Sequence, residues 1–161
     1  GQPEWLVPII TKLMMLFGKK NDFVFGMEAR DPLKQTFKDQ LVTSDRVRFD
    51  RTQNLIAANP GIRLCGPSWS WLTAAFASMA RVVAQGFAEA IQTPVLIFGA
   101  GKDRIVQVAA VRDFAKRLPH GTYVEFEIAE HEILMENDIV RTRFWRAFDE
   151  FAGKYFPVKE D

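Results

Sequence analysis

A chain of 161 residues, 48% hydrophobic and 25% charged, has the composition of one soluble globular domain or of part of a larger one. Its 21 Lys+Arg against 20 Asp+Glu leave a formal charge of +1, so no basic surplus exists to neutralise a phosphate backbone and no nucleic-acid partner is expected. Fourteen Phe and four Trp exclude a disordered chain, and the one cysteine, Cys65, has neither a disulfide partner nor His/Cys company for zinc, which makes a reducing compartment the default.

The first apolar stretch, Trp5 to Gly18, is broken by Pro8 and Lys12 and falls short of the roughly 20 residues that span a bilayer. It lacks the basic lead and the small-residue cleavage site of a signal peptide. Leu6, Ile9, Ile10, Leu13, Met14 and Phe17 follow the 3, 4, 3, 4 spacing of one helical face, with Pro8 tolerated in the first turn. Residues 21–43 carry mixed signals around a turn at Arg30-Asp31-Pro32-Leu33. Ser44 or Asp45 is placed to cap a helix over 46–58, which Asn59-Pro60-Gly61 stops. After Cys65-Gly66-Pro67-Ser68, a helix is predicted over 69–89 with Leu72, Phe76, Met79, Val83 and Phe87 on its apolar side.

The character changes near residue 92. Residues 94–98 form a short continuous apolar run closed by Gly99, the pattern of a strand buried on both faces. A helix follows over 107–118, stopped by Pro119-His120-Gly121, then a second strand over 123–128, a loop over 129–137, and a last helix over 138–155 with Ile139, Phe144, Ala147, Phe148 and Phe151 inward. This βαβα order makes the two strands parallel and adjacent.

Loops leaving the carboxyl ends of parallel strands share one rim, where ligands bind. Asp103 follows the first strand and His131 the second, and strands about 4.8 Å apart let their side chains meet. A carboxylate beside an imidazole holds it in one tautomer and stabilises its protonated form. Taken singly, the Asp reads as a turn former and the His as a solvated residue between Glu130 and Glu132; their joint placement favours chemistry.

The stretch PVLIFGAGKDRIV, followed 28 residues after its Asp by AEHEILME, resembles the last two strands of the α/β-hydrolase superfamily. More narrowly, Leu41-Val42-Thr43-Ser44-Asp45-Arg46, residues 48–51, Ile62 to Trp71 and His131-Glu132-Ile133-Leu134 are similar to bacterial lysophospholipases of the monoacylglycerol-lipase type, a branch of the S33-type serine hydrolases. The resemblance implies an α/β fold in which residues 1–91 are a helical cap and residues 92–161 the C-terminal βαβα part of the core. It makes Asp103 the acid and His131 the base of a catalytic triad, with no metal or organic cofactor and a single-chain lipid ester as substrate. Trp69, Trp71, Leu13 and Phe17 are then candidates for lining the acyl site. The same greasy residues also fit a peripheral membrane contact or plain packing. The implied location is the cytoplasm, with peripheral contact at the inner membrane as the further use of that surface.

The nucleophile is not visible. Such enzymes carry it in a G-x-S-x-G turn between strand and helix. Gly66-Pro67-Ser68-Trp69-Ser70 keeps a Gly and a Ser, but Pro67 and Trp69 are too rigid and bulky for that turn and no buried strand precedes them. Ser68 is better read as the N-cap of the helix starting at Trp69. The expectation is therefore that the serine lies upstream, that two strands are only part of a wider sheet, and that the chain alone is inactive. The remaining N-terminal portion of the same domain would be its partner. Two other readings stand beside this one: a non-catalytic module that binds lipid or a partner through an open sheet edge, and a hydrolase of another small ester or a peptide.

Overall fold

The computed structural model describes residues 6–27 and 31–155. Trp5 of the opening stretch and Arg30 of the turn lie outside these residues. Two compact units divide the chain, one formed by residues 1–35 and 55–84, the other by residues 36–54 and 85–161. Residues 36–54 group with the C-terminal unit.

In the first unit, α1 (Val7–Leu16) carries Pro8 in its first turn, where a missing N–H leaves no helical bond unmade. It packs against α3 (Trp69–Val83). The expected apolar face is displaced. Thr11 is the buried residue of α1, its hydroxyl donating to the Pro8 carbonyl at 2.9 Å, while Ile9, Leu13 and Phe17 are exposed. Asp31 caps a single helical turn, Pro32–Lys34, accepting from Leu33 N–H at 3.0 Å. Phe23 and Ser68 form an antiparallel bridge that sets the start of α3, and Trp69 is buried edge-to-face on Phe25 at 5.0 Å.

The predicted helix over 69–89 ends early. α3 stops at Val83 because Ala84 turns extended and Gly86 adopts a left-handed φ of +88°, which only glycine takes readily. Met79 and Val83 are exposed, Leu72 and Phe76 half-buried, and Phe87 lies beyond the helix against Phe114 in the second unit.

The second unit holds β1 (Val95–Ala100) and β2 (Gly121–Phe126), paired in parallel from Val95 opposite Gly121 to Ala100 opposite Phe126. The crossover is α4 (Val108–Arg117), which packs on both strands, and α5 (Asp138–Tyr155) follows. Both strands are shifted slightly from expectation: β1 runs through Gly99 to Ala100, and β2 begins at Gly121, expected only to stop the helix. Ala100, Phe126, Ala129 and Val140 form the buried core, with Phe98, Val124, Ile133 and Phe144 packed against it. Val140 rather than Ile139 faces inward on α5; Ile139 is 82% exposed, and Phe148 is exposed as well. Asn137 sets this rotation by capping α5, accepting from Ile139 and Val140 N–H at 3.1 and 3.2 Å. The second unit also takes in the start of α2 (Arg46–Ala58), where Asp45 rather than Ser44 is the cap, accepting from Arg48 N–H at 3.0 Å.

Phe126→Ala removes a side chain 1% exposed at the centre of this core and should lower unfolding free energy by about 3–5 kcal/mol. Ile139→Ala, one position off the buried face, should stay within about 0.5 kcal/mol of the parent. Urea unfolding of both variants measures the difference, and equal effects would contradict the inward assignment of Val140.

Candidate active site

The loop after β1 is held tightly against the exit of β2. Gly101 N–H donates to the Phe126 carbonyl at 2.8 Å and Lys102 N–H to the Ala129 carbonyl at 2.9 Å. A Cβ on Gly101 would lie 2.6 Å from the Glu127 Cα, so the approach requires glycine here. Asp103 and His131 leave this junction from its two sides. His131 Nδ1–H donates to Asp103 Oδ2 at 2.8 Å, and the side chains are 29% and 10% exposed respectively.

The other Asp103 oxygen is also engaged. Oδ1 accepts from Ile105 and Val106 N–H at 2.8 and 2.9 Å, closing the turn that leads toward α4. Burial pushes the Asp103 carboxyl up, but the hydrogen bonds from Val106 N–H, His131 and Ile105 N–H outweigh it, so the group titrates below its ordinary value of 3.8. The carboxylate therefore stays charged at neutral pH and fixes the proton on Nδ1, which leaves Nε2 as the nitrogen able to take a proton.

A pocket of about 220 Å³ opens beside the pair, walled by Phe98, Val106, Val108, Val111 and Ile133. On the rim, Arg104 pairs with Glu130 at 3.4 Å. Glu130 is thus engaged by a cation, while Glu132 is exposed and leaves the imidazole to Asp103. Among the described residues no group of three or more His, Cys, Asp or Glu side chains is arranged to hold a metal ion.

The other sequence candidates belong to the first unit. Trp69 is 3% exposed and, with Lys19, Asn21, Asp22, Phe23 and Phe25, lines a groove of about 490 Å³. Trp71, Leu13 and Phe17 are exposed at 61%, 45% and 72%. Among the described residues no helix is long and apolar enough to cross a membrane. Ser68 caps α3, its Oγ accepting from Trp71 N–H at 3.3 Å with an unstrained extended backbone, φ −84° and ψ 165°. Sequence reasoning passed over Gln40, Thr43 and Glu136, all nearly fully buried beside the His131 loop.

The sequence profile of the family described as serine aminopeptidase, S33, matches residues 5–138. This chain belongs to that family. A probable lysophospholipase L2 from Haemophilus influenzae is 25% identical over 145 residues, 90% of this chain and 45% of that protein. Lysophospholipase L2 of Escherichia coli K12 is 29% identical over 126 residues, 74% of this chain and 36% of that protein. Among solved structures, a soluble variant of monoglyceride lipase from Saccharomyces cerevisiae superimposes with a TM-score of 0.65 at 18% identity, over 91% of this chain and 48% of that one. Monoacylglycerol lipase of Paleococcus ferrophilus gives 0.66 at 22% identity, over 93% and 52%. The fold is therefore part of an α/β-hydrolase fold, and the chain spans about half the length or less of these relatives.

The Asp103 carboxyl is more acidic folded than unfolded, so its contribution to stability is present above 3.8 and is lost as pH falls through the lower folded value. Urea midpoints measured from pH 6 downward should fall more steeply below about pH 4 for the parent than for Asp103→Asn. Parallel curves for the two proteins would show that the hydrogen bonds to Asp103 do not stabilise its charged form.

Proposed function

We propose that these residues contribute the acid and base of a serine esterase that cleaves single-chain lipid esters, lysophospholipids or monoacylglycerols. The observation that carries the reading is the 2.8 Å bond between His131 Nδ1 and Asp103 Oδ2 at the carboxyl ends of adjacent parallel strands. Membership of the S33 family and similarity to lysophospholipases L2 support an ester hydrolase with a lipid substrate.

The chemistry follows from the pair. His131 Nε2 takes the proton of a seryl hydroxyl supplied from outside these 161 residues as that oxygen attacks the ester carbonyl. Asp103 holds the ring and stabilises the imidazolium that forms. Protonated His131 then gives the proton to the leaving alcohol, and the acyl-serine is hydrolysed by a water that His131 deprotonates. Exposed Leu13, Phe17 and Trp71 are the apolar surface offered to an acyl chain or a lipid interface, with Trp69 lining the groove beside Phe25. On this reading the 161 residues alone are inactive.

In the full-length protein, Asp103→Asn should reduce kcat on monoacylglycerol by about 10³–10⁴-fold, and His131→Ala at least as much. Ser68→Ala should leave turnover unchanged while lowering stability by about 1 kcal/mol through loss of the α3 cap. A fluorophosphonate probe should label a serine other than Ser68. Labelling at Ser68, or full turnover by His131→Ala, would overturn the assignment, and hydrolysis confined to aminoacyl amides would move the substrate to peptides.

A further inference from the structure

The loop that carries His131 is held by a buried carboxylate that the proposed chemistry does not use. Glu136 is 1% exposed. Its Oε1 accepts from Glu130 N–H at 2.9 Å and Ser44 N–H at 3.1 Å, and its Oε2 accepts from the Ser44 hydroxyl. Two further bonds join the same segments: Glu132 N–H donates to the Val42 carbonyl at 2.8 Å, and Thr43 Oγ1 donates to the Met135 carbonyl at 2.7 Å. Gln40 shapes the donor segment from within, its Oε1 accepting from Val42 and Thr43 N–H at 2.7 and 3.0 Å.

The geometry of these bonds is specific to His131. The residues on its two sides have their amide hydrogens fixed, that of Glu130 by the Glu136 carboxylate and that of Glu132 by the Val42 carbonyl. A loop whose backbone is held on both sides of one residue presents that side chain from a fixed base, as a general base needs. Removing the carboxylate frees the Glu130 amide and both Ser44 donors at once, in a place where unpaired polar groups are disfavoured.

We infer that Glu136 is a positioning residue for His131, holding the imidazole in hydrogen-bonding register with Asp103 by tying residues 130 and 44 to one carboxylate. The inference rests on the proposed esterase reading for its consequence in catalysis, but its geometric part stands apart from it. In full-length protein, the low-field proton resonance of His131 Nδ1–H reports the bond to Asp103 directly.

Glu136→Ala should broaden or abolish that resonance and lower kcat about tenfold or more with little change in KM, whereas Glu136→Gln, whose amide oxygen can still accept from Ser44 and Glu130 N–H, should keep both. Phe144→Leu, a core change on α5, controls for general loss of stability and should leave the resonance in place. Should Glu136→Ala fail to fold, Ser44→Ala removes only the hydroxyl donor and should speed exchange of the Nδ1 proton by about three- to tenfold. An undiminished resonance in folded Glu136→Ala, or unaltered exchange in Ser44→Ala, overturns the inference. Loss of the resonance in Glu136→Ala together with full turnover by His131→Ala would keep the positioning role and reject the esterase reading instead.

Discussion

Parallel pairing of Val95–Ala100 with Gly121–Phe126 is the constraint from which the candidate site follows. A parallel pair sends both of its exit loops to the same end of the sheet, and the register brings Ala100 and Phe126 level before the chain departs. Asp103 and His131 then need only short loops to meet. The approach of Gly101 to the Glu127 backbone fixes the separation of those loops, and a single methyl group there would push them apart. The site thus inherits its precision from main-chain bonds rather than from the flexible side chains that it displays.

Asp103 divides its two oxygens between two tasks. Oδ1 closes the loop by accepting from two backbone amides, and Oδ2 receives the imidazole. The two backbone amides hold the carboxylate independently of the histidine, so Oδ2 meets the ring from a fixed position. The apolar wall of Phe98, Val108, Val111 and Ile133 adds a dry side to the pair, where the attraction between carboxylate and imidazolium is less screened than in water.

Much of this was legible in the residues. An apolar run closed by glycine marked β1, proline and glycine marked the end of α4, and the order strand, helix, strand implied the parallel pair that brings Asp103 to His131. What periodicity misjudged was facing: Asn137 caps α5 and sets Val140 rather than Ile139 inward, and a buried Thr11 displaces the apolar stripe of α1. The limit of α3 was hidden because Ala84 and Gln85 are residue types compatible with a helix, and what ends it is backbone conformation, extended at Ala84 and left-handed at Gly86. Glu136 was illegible for a different reason. Its partners are main-chain amides and a serine far away in sequence, and amides carry no residue-specific signal.

The distance between Ser44 and Glu136 has a kinetic meaning. The two residues are 92 positions apart, so joining them closes a long loop at an entropic cost of about 4 kcal/mol beyond the constant term of loop closure. The strand, helix, strand unit spans far fewer residues and can form on local contacts first, as low contact order favours. The segment around residue 44 is then expected to dock late, onto a sheet already made. On that order of events, the acid's loop matures with the sheet, while the histidine's loop reaches its final shape only when a distant stretch of chain arrives.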